Sequence, residues 1–354
     1  MALYDWDGYQ GYSTAGILRE HQRVNGTPTI VTGGRFGGKR LYCQATAVEG
    51  DYVARFVPFA PATLAVGFFL TPSNQLAAPI YLFEFQNADG GHLCGRLNAD
   101  GSLSVLRGAP VCGVDFSGRL EGGTLLKTSE AGVLSSSIGA SVQVKVTIDH
   151  VAGAVDIVVN GTNVLHLTDA DTQNGDNATI TNFLHGCAFC GPAATGVSYE
   201  DLVMATDLPG DMAVNSHFMT GDSAVDHAGD ILGGDGSTEH YKRINEQPEP
   251  DNATTRVRLN AVDDADGYTH EALKTPGAAI AGVMVVTDCA LESPGWGSVG
   301  ARWRIGGVAH DAPGQGVGTG WYRIKTRYPT NPATEAAWEE AEFNGAELAL
   351  RKTY

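Results

Sequence analysis

The chain has 354 residues, of which 46 are Gly and 43% are hydrophobic. This Gly content argues against an all-helical fold, since Gly costs roughly 1 kcal/mol at each interior helix position, and the apolar content argues against global disorder. The 23 Lys and Arg residues against 40 Asp and Glu residues leave a net charge of −17. Because this charge repels phosphate backbones and anionic lipid headgroups, we expect no nucleic-acid partner.

Strand signals recur through the first 210 residues, as short apolar runs rich in β-branched and aromatic residues and bounded by Gly, Asn, Asp or Pro. Between Val142 and Ile148 every second residue is apolar, which indicates an antiparallel sheet with one buried face. Asn160-Gly161 is typical of a type I′ hairpin turn. The predicted strands are Tyr52–Val57, Leu64–Leu70, Ile80–Gln86, His92–Leu97, Leu103–Leu106, Val142–Asp149, Val155–Val159 and Val164–Leu167.

A polar break with Pro209-Gly210 suggests a domain boundary near residue 211. Residues 212–240 are rich in Gly and Asp and are predicted to form a loose connector at the start of a second, smaller β-rich domain, 212–354. One short helix is expected at Pro332–Ala341. The strands predicted in this part are Thr254–Leu259, Ile280–Thr287, Gly300–Ile305, Gly320–Arg327 and Glu347–Arg351.

No apolar run reaches the roughly 18 residues of a membrane-spanning helix, so no membrane span is expected. The start of the chain, MALYDWDGYQGY, is acidic and aromatic where an export signal would be basic and then apolar, so none is predicted.

The cysteines are too sparse for a disulfide scaffold, and we expect reduced thiols. Cys187 and Cys190 form a CxxC after His185, and His92 with Cys94 lies upstream, which makes a zinc site an alternative. Burial in the core is the preferred interpretation, because free Cys is among the most buried residue types.

The run Val142–Leu167 has a strand ending in Ile-Asp, a Gly-containing turn and a strand reading VDIVVNG. Together with Leu82–Phe85, Gly101–Val105 and Tyr199–Val203, it resembles laminin-G and concanavalin-A-like jelly rolls. The resemblance implies that residues 1–211 form an antiparallel lectin-type β-sandwich.

Several segments of the second part, in order and spacing, resemble the end of many tailed-bacteriophage structural proteins: Tyr241–Asp251, Asp266–Tyr268, Ile280–Val286, Thr330–Thr334 and Trp338–Asn344. This resemblance implies a tail-associated or fibre-like component located in the virion, homo-oligomeric and assembled with other virion proteins. A host-surface glycan is a further expected partner. Attachment to tail or head stays open.

No GxSxG, HExxH or similar motif is present, and Glu84 lacks a paired carboxylate two residues away, so we predict that the chain is not an enzyme. The alternatives are a glycan-degrading jelly-roll enzyme and a free carbohydrate-binding module. Aromatic residues in Gly-rich stretches are candidates for sugar stacking, although core burial explains each equally well: Trp6, Tyr9, Tyr12, Trp296 and Trp321.

Metal binding has one candidate loop, where the carboxylates of Asp169, Asp171 and Asp176 alternate with other polar residues and suit Ca²⁺. The loop departs from an EF-hand, because Gln173 and Asn174 stand where an acid and Gly are expected. A solvated turn is the competing interpretation, and no other cofactor is predicted.

Two further loops carry weaker signals. Asp263–Gly267 is a second acidic stretch with the same calcium interpretation. Gly33–Gly38 lacks the Lys-Ser/Thr pair of a phosphate-binding loop and is predicted to be a turn that enters a strand.

Overall fold

The structure is a computed structural model, and it describes residues 2–9, 14, 17, 21, 23–35, 38–45, 50–73, 79–87, 90–108, 123–188, 195–233, 238–245 and 255–354. The chain divides into two compact units, Met1–Val214 (unit 1) and Asn215–Tyr354 (unit 2). The division lies three residues after the predicted boundary at 211. Among the described residues, no helix has the length and apolar character needed to cross a membrane.

Unit 1 is built from antiparallel strands. They are β1 (Leu3–Asp7), β2 (Arg23–Asn25), β3 (Thr29–Thr32), β4 (Lys39–Ala45), β5 (Asp51–Phe56), β6 (Thr63–Pro72), β7 (Ile80–Asn87), β8 (Gly90–Leu97), β9 (Leu103–Arg107), β10 (Thr124–Thr128), β11 (Ala140–Thr147), β12 (Gly153–Val159), β13 (Thr162–Ala170), β14 (Asn182–Ala188) and β15 (Thr195–Ala205).

These strands form two sheets. The eight-stranded sheet has the order β13-β12-β11-β6-β15-β4-β3, with β1 also paired to β15, and the seven-stranded sheet has the order β10-β9-β8-β7-β14-β5-β2. One hydrophobic core contains residues of both, such as Val66 and Val144 from the first sheet and Phe85 and Phe183 from the second. The predicted antiparallel sandwich is therefore confirmed.

Local sequence explains the hairpin between β12 and β13. Asn160 and Gly161 have φ values of 48° and 80°, the left-handed conformation that a type I′ turn requires at both central residues. Val159 and Thr162 pair directly across the turn. The predicted turn is confirmed.

Strand β15 changes partner along its length. Its first half pairs with β4 and its second half with β1, and its register against β6 shifts between Glu200 and Val203. Asp201 occupies this bulge with φ 52°. The bulge turns a charged side chain into a buried position.

Unit 2 is also almost entirely β. Its strands are β16 (Met219–His227), β17 (Asp230–Gly233), β18 (Thr255–Arg258), β19 (Ala265–His270), β20 (Val283–Cys289), β21 (Gly297–Ile305), β22 (Val308–Asp311), β23 (Gln315–Val317), β24 (Tyr322–Tyr328) and β25 (Glu347–Lys352). A six-stranded sheet has the order β16-β19-β25-β21-β22, with β23 paired to β21, and the pairs β17-β18 and β20-β24 are separate. A core around Trp303, Trp338 and Phe343 packs in this unit.

Two predictions for unit 2 are corrected. The expected connector, 212–240, contains the strands β16 and β17. β16 pairs with β19 and β17 pairs with β18, and Ser223 Oγ donates a hydrogen bond to Glu347 Oε2 (2.7 Å). These long-range contacts outweigh the weak strand propensity of the segment. The expected helix at Pro332–Ala341 is instead found at Glu340–Asn344. The Asn331 side chain accepts a hydrogen bond from the Ala333 N–H and favours a turn there.

Candidate functional site

The seven-stranded sheet of unit 1 has a second packed face, opposite the core. Along β5, Val53 belongs to the core, while its neighbours Tyr52 and Ala54 belong to a separate cluster, as expected for side chains that alternate along a strand. We call this the outward face. Its apolar cluster consists of Tyr52, Ala54, Tyr81, Cys94, Leu106 and Leu184.

A row of three side chains crosses one end of the outward face. Asn182 on β14 pairs directly with Phe56 on β5 and with Gln86 on β7. Neighbouring strands lie about 4.8 Å apart, so the row spans about 10 Å. Phe56 is 57% exposed, whereas Gln86 is 8% exposed. We call these residues the amide row.

The amide row has unused hydrogen-bonding capacity. Within the described part of the chain, Gln86 Nε2 and Asn182 Oδ1 are buried and have no hydrogen-bond partner. Asn182 Nδ2 donates to Thr181 Oγ1 at 3.3 Å, which orients that amide. A buried polar atom left without a partner costs about 1–3 kcal/mol, so a ligand that both accepts and donates would recover this energy.

Two charged residues lie on the same face, Glu84 near the row and Arg96 at the opposite end of β7. Glu84 lies two residues before Gln86 on β7 and is buried. Arg96 on β8 pairs with Tyr81 on β7, and its Nε donates to Asn98 Oδ1 at 3.0 Å. Glu84 points away from its neighbours Phe83 and Phe85, since both rings lie in the core. Sequence reasoning missed the row because it did not predict β14. The available signal was the alternation of side chains along β7, which places Glu84 and Gln86 on the same face.

The predicted calcium residues lie near the end of β13. Asp171 forms an ion pair with Arg107, and its Oδ1 lies 3.3 Å from His150 Nδ1. Asp169 has φ 53°, and Asp176 is exposed. Within the described chain, these three carboxylates do not form a group close enough to share an ion. Calcium binding at this loop stays a prediction.

The loop is anchored from the sheet. His92 Nδ1 accepts a hydrogen bond from the Asn174 N–H (3.1 Å), and Thr172 Oγ1 donates to the Thr147 carbonyl (2.7 Å). The second acidic loop is used differently: Asp263 pairs with Arg351, and Asp264 accepts from the Asn260 N–H. These contacts give the loops a structural role in the absence of an ion.

The alternative zinc ligands do not converge among the described residues. Cys187 and His185 face the core side of β14, whereas Cys94 lies on the outward face of the same sheet. His92 binds the acidic loop through Asn174, and Cys190 lies outside the described residues. Cys187 is buried in the core, in agreement with the preferred interpretation.

The aromatic candidates for sugar stacking separate by burial. Tyr9 is fully buried and its hydroxyl lies 2.6 Å from His185 Nε2; burial raises the pKa of this tyrosine and lowers the pKa of the histidine. Trp296 is 88% exposed in unit 2, and Trp321 is also exposed. Tyr12 lies outside the described residues.

The predicted Gly33–Gly38 turn is described only in part, because residues 36 and 37 lie outside the described residues.

A buried acid lies at the β15 bulge. The Asp201 side chain is 8% exposed, accepts a hydrogen bond from the Val214 N–H (2.8 Å) and lies 3.7 Å from Arg35 Nη1. Burial raises its pKa to about 6, although the Val214 N–H and Arg35 oppose the rise. Arg35 binds Asp211 with two hydrogen bonds of 2.7 Å, which lower the pKa of Asp211.

Comparison with known proteins gives matches to solved structures alone. No family model matches the chain, and no curated protein matches it. A glucuronan lyase from the fungus Trichoderma reesei has a TM-score of 0.43 and 13% identity, covering 58% of this chain and 96% of its own. An alginate lyase from Chlorella virus has a TM-score of 0.40 and 12% identity, covering 54% and 95%. A galectin of Caenorhabditis elegans has a TM-score of 0.29 and 10% identity, covering 43% and 89%.

These matches agree with the β-sandwich and correct one prediction. Polysaccharide lyases stand among them, which contradicts the prediction that the chain is not an enzyme. At these TM-scores no substrate or reaction carries over to this chain. The two lyases and the galectin add no support for a virion role, so that role, the homo-oligomer and the virion location stay predictions.

Proposed function

We propose that unit 1 binds a carbohydrate at the amide row. The observation that carries the proposal is the combination, on neighbouring strands, of a free amide donor (Gln86 Nε2), a free amide acceptor (Asn182 Oδ1) and an exposed ring (Phe56). A sugar hydroxyl donates and accepts at once, so it satisfies both amide atoms, and the apolar face of a pyranose packs on an aromatic ring.

The unpaired Gln86 Nε2 allows a variant that tests the effect on carbohydrate binding separately from the effect on folding. A Gln86→Leu chain keeps the side-chain volume and removes a buried group that makes no hydrogen bond through its Nε2. Replacement of an unsatisfied polar group by an apolar one is neutral or stabilising. We therefore expect Gln86→Leu to preserve the free energy of unfolding while it weakens the carbohydrate complex.

The test is calorimetric titration of the full chain with alginate, glucuronan and neutral β-glucan oligosaccharides. We expect at least one to bind, and Phe56→Ala and Gln86→Leu to raise its Kd about tenfold each, which corresponds to about 1.4 kcal/mol. Gln44→Ala is the matched amide control, because Gln44 is exposed on β4 of the other sheet. Equal affinity in all three variants would refute the site, and no binding by any of these saccharides would refute the proposal for this ligand class.

Cleavage of the bound chain is a second candidate, favoured by Glu84. Its carboxylate lies on the outward face two residues from Gln86, about 7 Å along the strand, where it can act as a general base toward a sugar held by the row. The assay follows the ultraviolet absorbance of unsaturated products and, separately, new reducing ends. Loss of both signals in Glu84→Gln with binding retained supports cleavage; binding with neither signal in the parent chain excludes it for that substrate.

A further inference from the structure

Three side chains of types that bind metal ions lie together in unit 2. His227, His240 and Asp266 each offer one ring nitrogen or carboxylate oxygen, and these atoms all lie within 4.8 Å of one another. No other group of three or more such residues occurs in the described part of the chain. Of the three, Asp266 lay within a sequence-based prediction of a metal site, the acidic stretch Asp263–Gly267, whereas neither histidine did.

The fold brings the three residues together through two neighbouring strands. His227 on β16 pairs directly with Asp266 on β19, after a register shift that follows Asp222. His240 begins a short 3-10 helix, His240–Arg243. The Asp222 carboxylate accepts hydrogen bonds from the N–H groups of His240 (3.0 Å) and Tyr241 (2.7 Å), so β16 also holds that helix in place.

The Asp266 carboxylate is 1% exposed. Its Oδ1 lies 2.7 Å from His240 Nδ1, and its Oδ2 accepts a hydrogen bond from the Tyr268 hydroxyl. Among the described residues, no Lys or Arg forms an ion pair with it. A buried carboxylate is stabilised by a paired cation or a metal ion, and here two imidazoles lie within 4.8 Å of it.

We propose that His227, His240 and Asp266 bind a divalent transition-metal ion, with Zn²⁺ as the best fit. Imidazole and carboxylate are ligands of zinc at 2.0–2.2 Å, whereas Ca²⁺ and Mg²⁺ select oxygen ligands. Tetrahedral geometry at these bond lengths places ligand atoms about 3.4 Å apart. Ligand atoms now up to 4.8 Å apart must therefore approach one another by up to about 1.4 Å, and the 2.7 Å pair of His240 Nδ1 and Asp266 Oδ1 must separate by about 0.7 Å. His227 is the exposed member of the set, so this movement is assigned to its side chain.

The contacts around the set resemble the outer shell of metal sites. Metal-bound His commonly donates its other ring N–H to a carbonyl or carboxylate, which fixes the tautomer. His227 Nε2 contacts the Ser223 carbonyl, which leaves Nδ1 for the ion. Three protein ligands leave the fourth tetrahedral position for water or an exogenous ligand, the arrangement of a reactive rather than a closed structural zinc site.

The test uses the full chain after treatment with EDTA. Titration with ZnCl₂ is followed by calorimetry, and titration with CoCl₂ by the visible bands of tetrahedral cobalt. We expect one ion per chain. His227→Ala and His240→Ala should each weaken metal binding at least about 100-fold, because loss of a direct ligand costs more than loss of an outer-shell partner, which costs about 10- to 100-fold. His310→Ala, on β22 of the same unit, is the matched control and keeps the parent affinity.

Each outcome decides the proposal. Absence of zinc binding, or equal affinity in His227→Ala and the parent chain, would overturn it and leave His240 and Asp266 as a hydrogen-bonded structural pair. Since His227 is exposed, its replacement keeps the fold, so a misfolded His240→Ala chain does not obscure the result. Carbohydrate binding at the amide row is independent of either outcome.

Discussion

Replacement of Asp201 by Asn is expected to stabilise the protein at neutral pH. The carboxylate is buried at a bulge with φ 52°, a conformation that Asn tolerates, and Asn keeps the oxygen that accepts the Val214 N–H. The raised pKa means that the Asp201 carboxylate binds a proton more tightly in the native chain than in the unfolded chain. The stability from this group is therefore complete below pH 3.8 and is lost as the pH rises through 6.

The difference between a pKa of about 6 and the ordinary 3.8, at 1.36 kcal/mol per pH unit, gives a cost of about 3 kcal/mol at pH 7. Urea unfolding of the full chain, followed by circular dichroism from pH 4 to 7.5, measures the effect. Asp201→Asn and the parent should differ little at pH 4, and the variant should gain up to about 3 kcal/mol by pH 7. A difference that does not change with pH would refute the argument.

Asp211→Asn provides a control of opposite sign. The pKa of Asp211 is lowered by its hydrogen bonds to Arg35, so its stabilisation is present above its unfolded pKa and is lost as the pH falls. This variant should lose stability at pH 7 and approach the parent in acid. The same trend in both variants would mean that the local charges do not control the pH dependence.

Three further outcomes are expected. Phe85→Ala in the core of unit 1 should cost about 3–5 kcal/mol in urea unfolding, and a loss below 1 kcal/mol would show that the cavity refills. Gly161→Ala, at φ 80°, should cost about 1–2 kcal/mol, whereas Gly316→Ala, where a methyl group meets open space, should cost less. If the predicted calcium loop binds, CaCl₂ should raise the melting temperature relative to EDTA, and Asp169→Ala/Asp171→Ala should abolish that shift; identical melting curves would contradict the prediction.

Much of unit 1 follows from local patterns. Alternation from Val142 to Ile148 corresponds to β11, and Asn160-Gly161 forms the predicted turn. Both signals arise within a few residues, because side-chain alternation and left-handed turn conformations are properties of the local backbone. Residues 212–240 were predicted poorly for the same reason: β16 and β17 have weak strand propensity and form through pairing with distant strands.

The candidate sites depend on pairing between segments far apart in the sequence. Alternation along the predicted strand Ile80–Gln86 would place Glu84 and Gln86 on one face, a relation that the sequence-based interpretation did not use. Only the register of β7 against β14 places Asn182 beside Gln86. The bulge in β16 likewise places His227 opposite Asp266. Composition, alternation and turn residues thus determined an acidic, antiparallel β protein. Tertiary structure decided which polar side chains meet, because strand order and register depend on the packing of whole sheets and not on any single segment.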